Sequence, residues 1–202
     1  MARTRLAPFH PPASLRRAGL WLRRGVVLAL VLASLPPRGA AAEALVGEYK
    51  LKAAFLYRIS QFVEWPEGEA GERAFHICVL GSDPFGDSLR ELSTRNHGSR
   101  PIALLYPATA REARACQMVY LDSGGKKAIG ELTASLADLP VLTVGGAEQF
   151  VDQGGGVGFV VEGGKLRMEI NVEVLRRARL KPSAKLLEVA ARLVGTGRAG
   201  SS

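Results

Sequence analysis

The residues best suited to metal binding or nucleophilic attack are few: two cysteines, Cys78 and Cys116, and three histidines, His10, His76 and His97. Their spacing supports neither role. A zinc site draws on four nitrogen or sulfur ligands supplied in close-set pairs. The chain has no C-x-x-C and no H-x-H pair of the required spacing, so no metal and no cofactor is expected. No histidine has an evident reason to activate either thiol. His76 reads as a strand-edge residue and His97 as a solvated one in an Asn96-His97-Gly98 turn. The nucleophile elbow G-x-S-x-G and the phosphate loop G-x-x-x-x-G-K-[ST] are both missing. Glycines 124–125, 145–146, 154–156 and 163–164 do not fit G-x-G-x-x-G and read as turn glycines.

The carboxylates form no convincing catalytic pair. Asp83 and Asp87 flank a helix start, where acids complement the dipole. Glu162 and Glu169 are placed on the solvated face of a hairpin. Three loops nevertheless sit where ligands gather in open α/β sheets, at the carboxyl ends of strands: Gly81-Ser-Asp-Pro-Phe-Gly86, Asp122-Ser-Gly-Gly125 and Gly145-Gly146. Ser82, Asp83, Phe85, Ser123 and Asn171 are the candidate ligand-binding residues, with helix capping as the competing role for Ser82 and Asp83. An enzyme would have to assemble a polar cluster from distant residues such as Asp83, Asp122, Ser123 and Asn171. No catalytic residue is assigned, and a non-enzyme is expected.

The elements that would position these residues begin after a leader. Residues 1–42 carry seven arginines and no acid. Arg16, Arg17, Arg23 and Arg24 precede the apolar run Val26–Leu35, and Ala40-Ala41-Ala42 follows. These are the parts of a secretory signal peptide, and the apolar run is shorter than the roughly 20 residues a membrane span needs. Cleavage is expected after Ala42, by the general or the twin-arginine route; an uncut leader serving as a tether is the alternative. The whole chain has 27 basic and 19 acidic residues, a formal +8, of which the leader holds seven. The rest is nearly neutral, which removes the charge argument for nucleic-acid binding.

Residues 43–194 read as one domain and 195–202 as a disordered small-residue tail. In an oxidising compartment two lone thiols pair as a disulfide, closing a loop worth about 4 kcal/mol; buried free thiols on neighbouring strands are the other reading. A helix is expected over Glu48–Trp65, with Leu51, Phe55, Ile59, Phe62 and Val63 as its apolar stripe and Lys52 off it. Continuously apolar runs at 75–80, 101–106, 116–121 and 141–144 predict strands covered on both faces. Helices are expected over 85–93 and 126–136. A hairpin follows at 157–161 and 165–170, then a short helix over 172–179. Ser183 caps a last helix whose apolar side includes Leu186, Leu187, Ala190, Leu193 and Val194.

An ordered series of segments then resembles a known family. Tyr49–Tyr57 (YKLKAAFLY) and Phe62–Pro66 (FVEWP) resemble the opening helix of the YfiR family of periplasmic proteins. Ile77–Gly81, Asp83–Gly86, Val141–Val144 with Phe150, Gly155-Gly156, Glu169–Asn171 and Ser183–Leu187 continue the match. With the strand and helix order, the resemblance implies a single-domain, Rossmann-like three-layer α/β/α sandwich with a mixed sheet and a C-terminal hairpin. It further implies a periplasmic repressor that binds the periplasmic sensor domain of an inner-membrane diguanylate cyclase and lowers cyclic-di-GMP synthesis. An outer-membrane lipoprotein would sequester the repressor, and the protein is expected as a monomer or a homodimer. Cys78 and Cys116 match one disulfide of the family; a second pair is missing here. Tyr49, Tyr57, Trp65 and Tyr106, with Leu104 and Leu105, are the candidate interface residues. The alternative function is a periplasmic small-molecule sensor or solute-binding module built around residues 81–86.

Overall fold

The computed structural model describes residues 38–66 and 74–196. The leader up to residue 37 and the tail from residue 197 lie outside the described residues. Ala44–Ser202 forms one compact unit. Helix α1 spans Arg38–Gln61, so its backbone runs through the expected cleavage point after Ala42. Among the described residues, no helix is long and apolar enough to cross a membrane.

In chain order the remaining elements are β1 (Val63–Glu64), β2 (Phe75–Val79), α2 (Asp87–Arg90), continued by a 3-10 turn over Glu91–Thr94, and β3 (Asn96–His97). Next come β4 (Arg100–Leu105), a second 3-10 turn at Glu112–Ala115, β5 (Met118–Leu121), α3 (Lys126–Ser135) and β6 (Leu142–Gly145). The chain closes with β7 (Val157–Glu162), β8 (Lys165–Asn171), α4 (Val172–Arg177), β9 (Lys181–Pro182), α5 (Ala184–Glu188) and β10 (Arg192–Val194).

Among the described residues, eight strands form one mixed sheet in the order β10-β8-β7-β6-β5-β2-β4-β3. β4, β2, β5, β6 and β7 are parallel; β8 is antiparallel to β7, and β10 is parallel to β8. The expected α/β sandwich is therefore observed. Because adjacent residues of a strand face opposite ways, the apolar strands feed two cores. Phe75, Ile77, Met118 and Tyr120 pack with residues of α1, α2, α4 and α5 on one face. Cys78, Val119 and Leu121 pack with Ile129, Leu132 and Leu136 of the α3 segment on the other. A disulfide joins Cys78 to Cys116 inside this second core, with Cα atoms 6.1 Å apart.

The β7–β8 hairpin pairs Glu162 with Lys165, and Gly163 and Gly164 both take positive φ. Two left-handed residues in a two-residue loop match the twist of the strands they join. Gly145 and Gly155 serve differently from the turn role expected of them. A side chain at either would run into the ring of the buried Phe150, since an added Cβ would overlap its ring carbons. Gly155→Ala should therefore cost about 1–3 kcal/mol through overpacking; the urea midpoint would fall while activity in any binding assay at permissive temperature persists.

Several expectations are corrected. α1 ends at Gln61, where the Phe62 N–H donates to the Ile59 carbonyl; Val63 and Glu64 leave as strand to pair with Pro182 and Lys181. The buried face of α1 is rotated from the expected stripe: Leu51 is exposed, whereas Lys52 is buried beside Ala53, Leu56 and Ile59. The lysine is accommodated by Glu48, 2.7 Å from its Nζ. Ser183 does cap α5, accepting from the Leu186 N–H at 3.2 Å. That helix stops at Glu188, and Arg192–Val194 forms the edge strand β10 instead of a further turn. Glu169 is buried, not solvated. Arg192 bridges it to Asp152, with all four guanidinium–carboxylate contacts between 2.6 and 2.9 Å. This bidentate geometry fastens the edge strand to the sheet.

Candidate functional site

β2 lies between β4 and β5, so the connection after β2 leaves toward one side of the sheet and that after β5 toward the other. Divergence of this kind opens a crevice beyond the carboxyl ends of the strands. The crevice is present as a cleft of about 500 Å³. Ser82 from the loop after β2, Asp122 and Ser123 from the loop after β5, and Thr109 and Glu131 supply its polar lining. Ser82 and Ser123, 41 positions apart, are thus brought to one site, as two members of the expected ligand-binding set.

The other three members face elsewhere. Asp83 Oδ1 accepts from the Phe85 N–H at 2.8 Å, a local turn bond. Although the Tyr106 side chain is exposed as a whole, partial burial of its hydroxyl raises its pKa above the ordinary value, and Asp83 adds to the shift through charge and a hydrogen bond. Phe85 is buried in an aromatic cluster, its centroid 5.6 Å from that of Tyr49 and 4.7 Å from that of Tyr120. Asn171 caps α4 by accepting from the Val174 N–H and donates to the Val151 carbonyl.

A polar cluster that the sequence reading did not assemble borders the cleft. Asp122 accepts hydrogen bonds on both oxygens: Oδ2 from the Tyr49 hydroxyl at 2.9 Å and Oδ1 from the Tyr120 hydroxyl at 2.6 Å. Lys52 Nζ is 3.9 Å from Asp122 Oδ1 and 4.5 Å from the centre of the Tyr49 ring. Burial, then the Asp122 hydrogen bond and charge, raises Tyr49 to about 12 and Tyr120 higher still. Both hydroxyls therefore stay protonated donors at physiological pH. A Cβ at residue 146 would approach the Tyr120 hydroxyl at 3.0 Å and the Asp122 carbonyl at 3.1 Å, so a side chain there would crowd this packing. The cluster ties α1 to the end of β5. Two phenols and a lysine thus surround the Asp122 carboxyl group at this junction.

The expected interface residues are dispersed. Tyr49 points inward to Asp122. Trp65 is half-buried, donates to the Gln117 carbonyl at 3.2 Å and stands edge-on to Phe75. Tyr57 is half-buried beneath the Arg95 guanidinium. Tyr106 is exposed, as is Leu105 before it.

His97 departs from its expected role as a solvated loop residue. It belongs to β3, half-buried, stacked on Phe75 at 4.1 Å and edge-on to Trp65. His76, expected at a strand edge, lies in β2, which is interior to the sheet. The His97 Nε2 lies 2.9 Å from the Ser60 carbonyl, and Arg100 Nη2 lies 3.4 Å from its Nδ1. Burial lowers its pKa, and the Arg100 charge lowers it further, against the opposing pull of the Ser60 carbonyl. A depressed folded pKa means the unfolded chain binds the proton first. The His97 contribution is thus full above the unfolded value near 6.5 and is lost as pH falls through the folded value. Urea midpoints from pH 7.5 to 5 should fall less steeply for His97→Asn than for the parent; identical slopes would contradict this.

Among the described residues no group of three His, Cys, Asp or Glu side chains could hold a metal ion. A family model described as YfiR/HmsC-like matches residues 49–191. No curated protein matches the chain. Two solved structures are similar at 10% identity: an ABC domain in complex with L-Trp from Streptococcus pneumonia, and a conserved domain protein from Vibrio cholerae O1 biovar El Tor. The first has a TM-score of 0.44 and covers 59% of this chain and 55% of its own; the second has a TM-score of 0.45 and covers 70% and 59%. The chain thus spans less than two thirds of either structure's length.

Proposed function

The chain belongs to the YfiR/HmsC-like family, and from that premise we propose that it is a non-enzymatic periplasmic regulator of a membrane diguanylate cyclase. It acts by binding the cyclase's periplasmic sensor domain and biasing the enzyme toward its inactive state. The observation that carries this reading is the family match, which runs through nearly the whole compact unit, from α1 to the residue before β10. The disulfide inside the second core suits an oxidising compartment. Asp122, at the carboxyl end of β5, is engaged by two tyrosines and a lysine.

Regulation of this kind needs only a difference in affinity for the two states of the partner. Moving a receptor from almost fully on to almost fully off takes about 5.5 kcal/mol of differential binding. The expected processing, with cleavage after Ala42, leaves the chain free in the periplasm. Deletion of the gene should raise cellular cyclic-di-GMP and biofilm, and a copy restored with its leader should reverse both. Unchanged levels in the deletion strain would overturn the proposal.

The cleft between the loops after β2 and β5 favours a second reading, a periplasmic small-molecule sensor with Ser82, Thr109 and Ser123 as hydroxyl contacts. A ligand at a thousandfold excess over its dissociation constant stabilises a protein by about 4 kcal/mol. A metabolite screen by thermal shift separates the readings: a hit abolished by Ser82→Trp at the mouth of the cleft would establish the sensor.

A further inference from the structure

A second groove, of about 480 Å³, runs between α1 and the segment formed by α2 and its 3-10 turn. α1 contributes Lys50, Ala53, Ala54, Tyr57 and Arg58, which recur at three- and four-residue intervals and so share one helix face. The facing wall includes Glu91, Leu92 and Arg95. Ala53 and Leu92 are buried, and Tyr57 and Phe62 half-buried, which gives the groove an apolar floor; two adjacent alanines give it depth. Its rim is basic. Lys50, Arg58 and Arg95 are exposed, and among the described residues none of them takes part in an ion pair. Glu91 is the one carboxylate in the lining.

The residues from 43 onward are nearly neutral, so this concentration of positive charge is local. Lys50 and Arg58 are eight positions apart on α1, about 12 Å along the axis at 1.5 Å per residue. The Arg95 guanidinium stands 5.1 Å from the centre of the Tyr57 ring, on the opposite side of the floor. An apolar floor between two helical walls suits a segment that presents small or apolar side chains inward. A basic rim selects carboxylates at the flanks of that segment and rejects a basic one.

We propose that this groove is the docking site for an acidic segment of the partner protein, laid along α1 with its carboxylates against Lys50, Arg58 and Arg95. The assignment rests on the regulatory reading above: the segment belongs to the cyclase's periplasmic domain. It also places Tyr57, alone of the expected interface residues, at the contact.

The test uses residues 43–202 and the purified periplasmic domain of the cyclase, with affinity measured by calorimetry at low and high salt. The triple reversal Lys50→Glu, Arg58→Glu and Arg95→Glu should weaken binding by about 30-fold or more, since each tenfold is 1.4 kcal/mol and charge reversal adds repulsion to lost attraction. A control reversal of exposed Lys126, Lys127 and Lys165 should change it by less than about threefold, and wild-type affinity should fall with salt. If the reversed protein fails to fold by circular dichroism, the glutamine triple at the same positions replaces it, with about tenfold weakening expected. Groove variants that fold and bind like wild type overturn the inference and leave the regulatory reading standing. Wild-type protein that does not bind the domain overturns both. Groove variants that convert a dimeric wild type to monomer while retaining the partner identify a second copy as the occupant and also overturn it.

Discussion

Replacing Cys78 and Cys116 together by alanine is expected to lower the unfolding free energy by about 4 kcal/mol. The bond spans 38 positions. Without it, the unfolded chain recovers the freedom of a loop of that length, and the entropic cost of closing it grows with the logarithm of loop size. The native state loses less. Ile77 of β2 and Met118 of β5 remain paired, so the two strands stay adjacent without the link. The sulfurs sit in a core with Ala113, Val119 and Leu121, and both cysteines are nearly inaccessible, so truncation adds a small packing loss in the same direction. Native protein should resist mild reductant, because the bond opens to solvent only on unfolding. Urea denaturation of the double variant gives the number; a change under 1 kcal/mol would mean the strand pairing alone holds this face. A loss of that size is a large share of the stability of a single domain, so the chain gains much of its stability by oxidation.

The second large effect is predicted for Asp122. Asp122→Ala strands the Tyr120 hydroxyl, on a residue with no exposed surface, and deprives Tyr49 and Lys52 of their shared partner. A buried donor without an acceptor costs about 1–3 kcal/mol, and the half-buried Tyr49 and the buried lysine add to it, so about 2–4 kcal/mol is expected. Asp122→Asn keeps the volume and one acceptor and should cost less. Tyr49 supplies a local readout that general loosening would not. Its pKa, raised to about 12, has burial as the largest cause and Asp122 as the next. In the asparagine variant its alkaline titration, followed by phenolate absorbance, should move down toward 10 without reaching it. The sign for stability follows: a hydroxyl harder to ionise in the folded state contributes stability below pH 10, lost as pH rises from about 10 to about 12. Wild-type protein should weaken over that range, and Asp122→Asn less steeply. An unshifted Tyr49 titration would show that the cluster is not coupled in solution.

The parallel strands were legible because β2, β5 and β6 are continuously apolar, the pattern of a sheet covered on both faces. The hairpin was legible from paired glycines between two apolar runs. What escaped depends on pairings distant in sequence. β1 and β9 exist only because Val63 meets Pro182, and neither two-residue segment has a pattern of its own. Leu193 and Val194 fit the spacing of a helix, but their backbone completes the exposed edge of β8 beside Ile170 and Asn171. Lys52 looked like a solvent-facing charge, since its neutralisation by Asp122 requires knowing that α1 passes the end of β5. Glu48, one turn before it, was the readable half of that arrangement. Ser82 and Ser123 could be named individually from their loops; that they share a cleft follows from β2 and β5 being neighbours, which the order of the runs does not state.

The regulatory account is tested most directly by reconstitution. The membrane cyclase is placed in liposomes, the chain from Glu43 onward is added on the side of the periplasmic domain, and cyclic-di-GMP production is followed on the other. Synthesis should fall in a saturable manner as the chain is added, and the groove-reversed triple variant should require a far higher concentration. A rate that stays constant at concentrations saturating for binding would contradict the account.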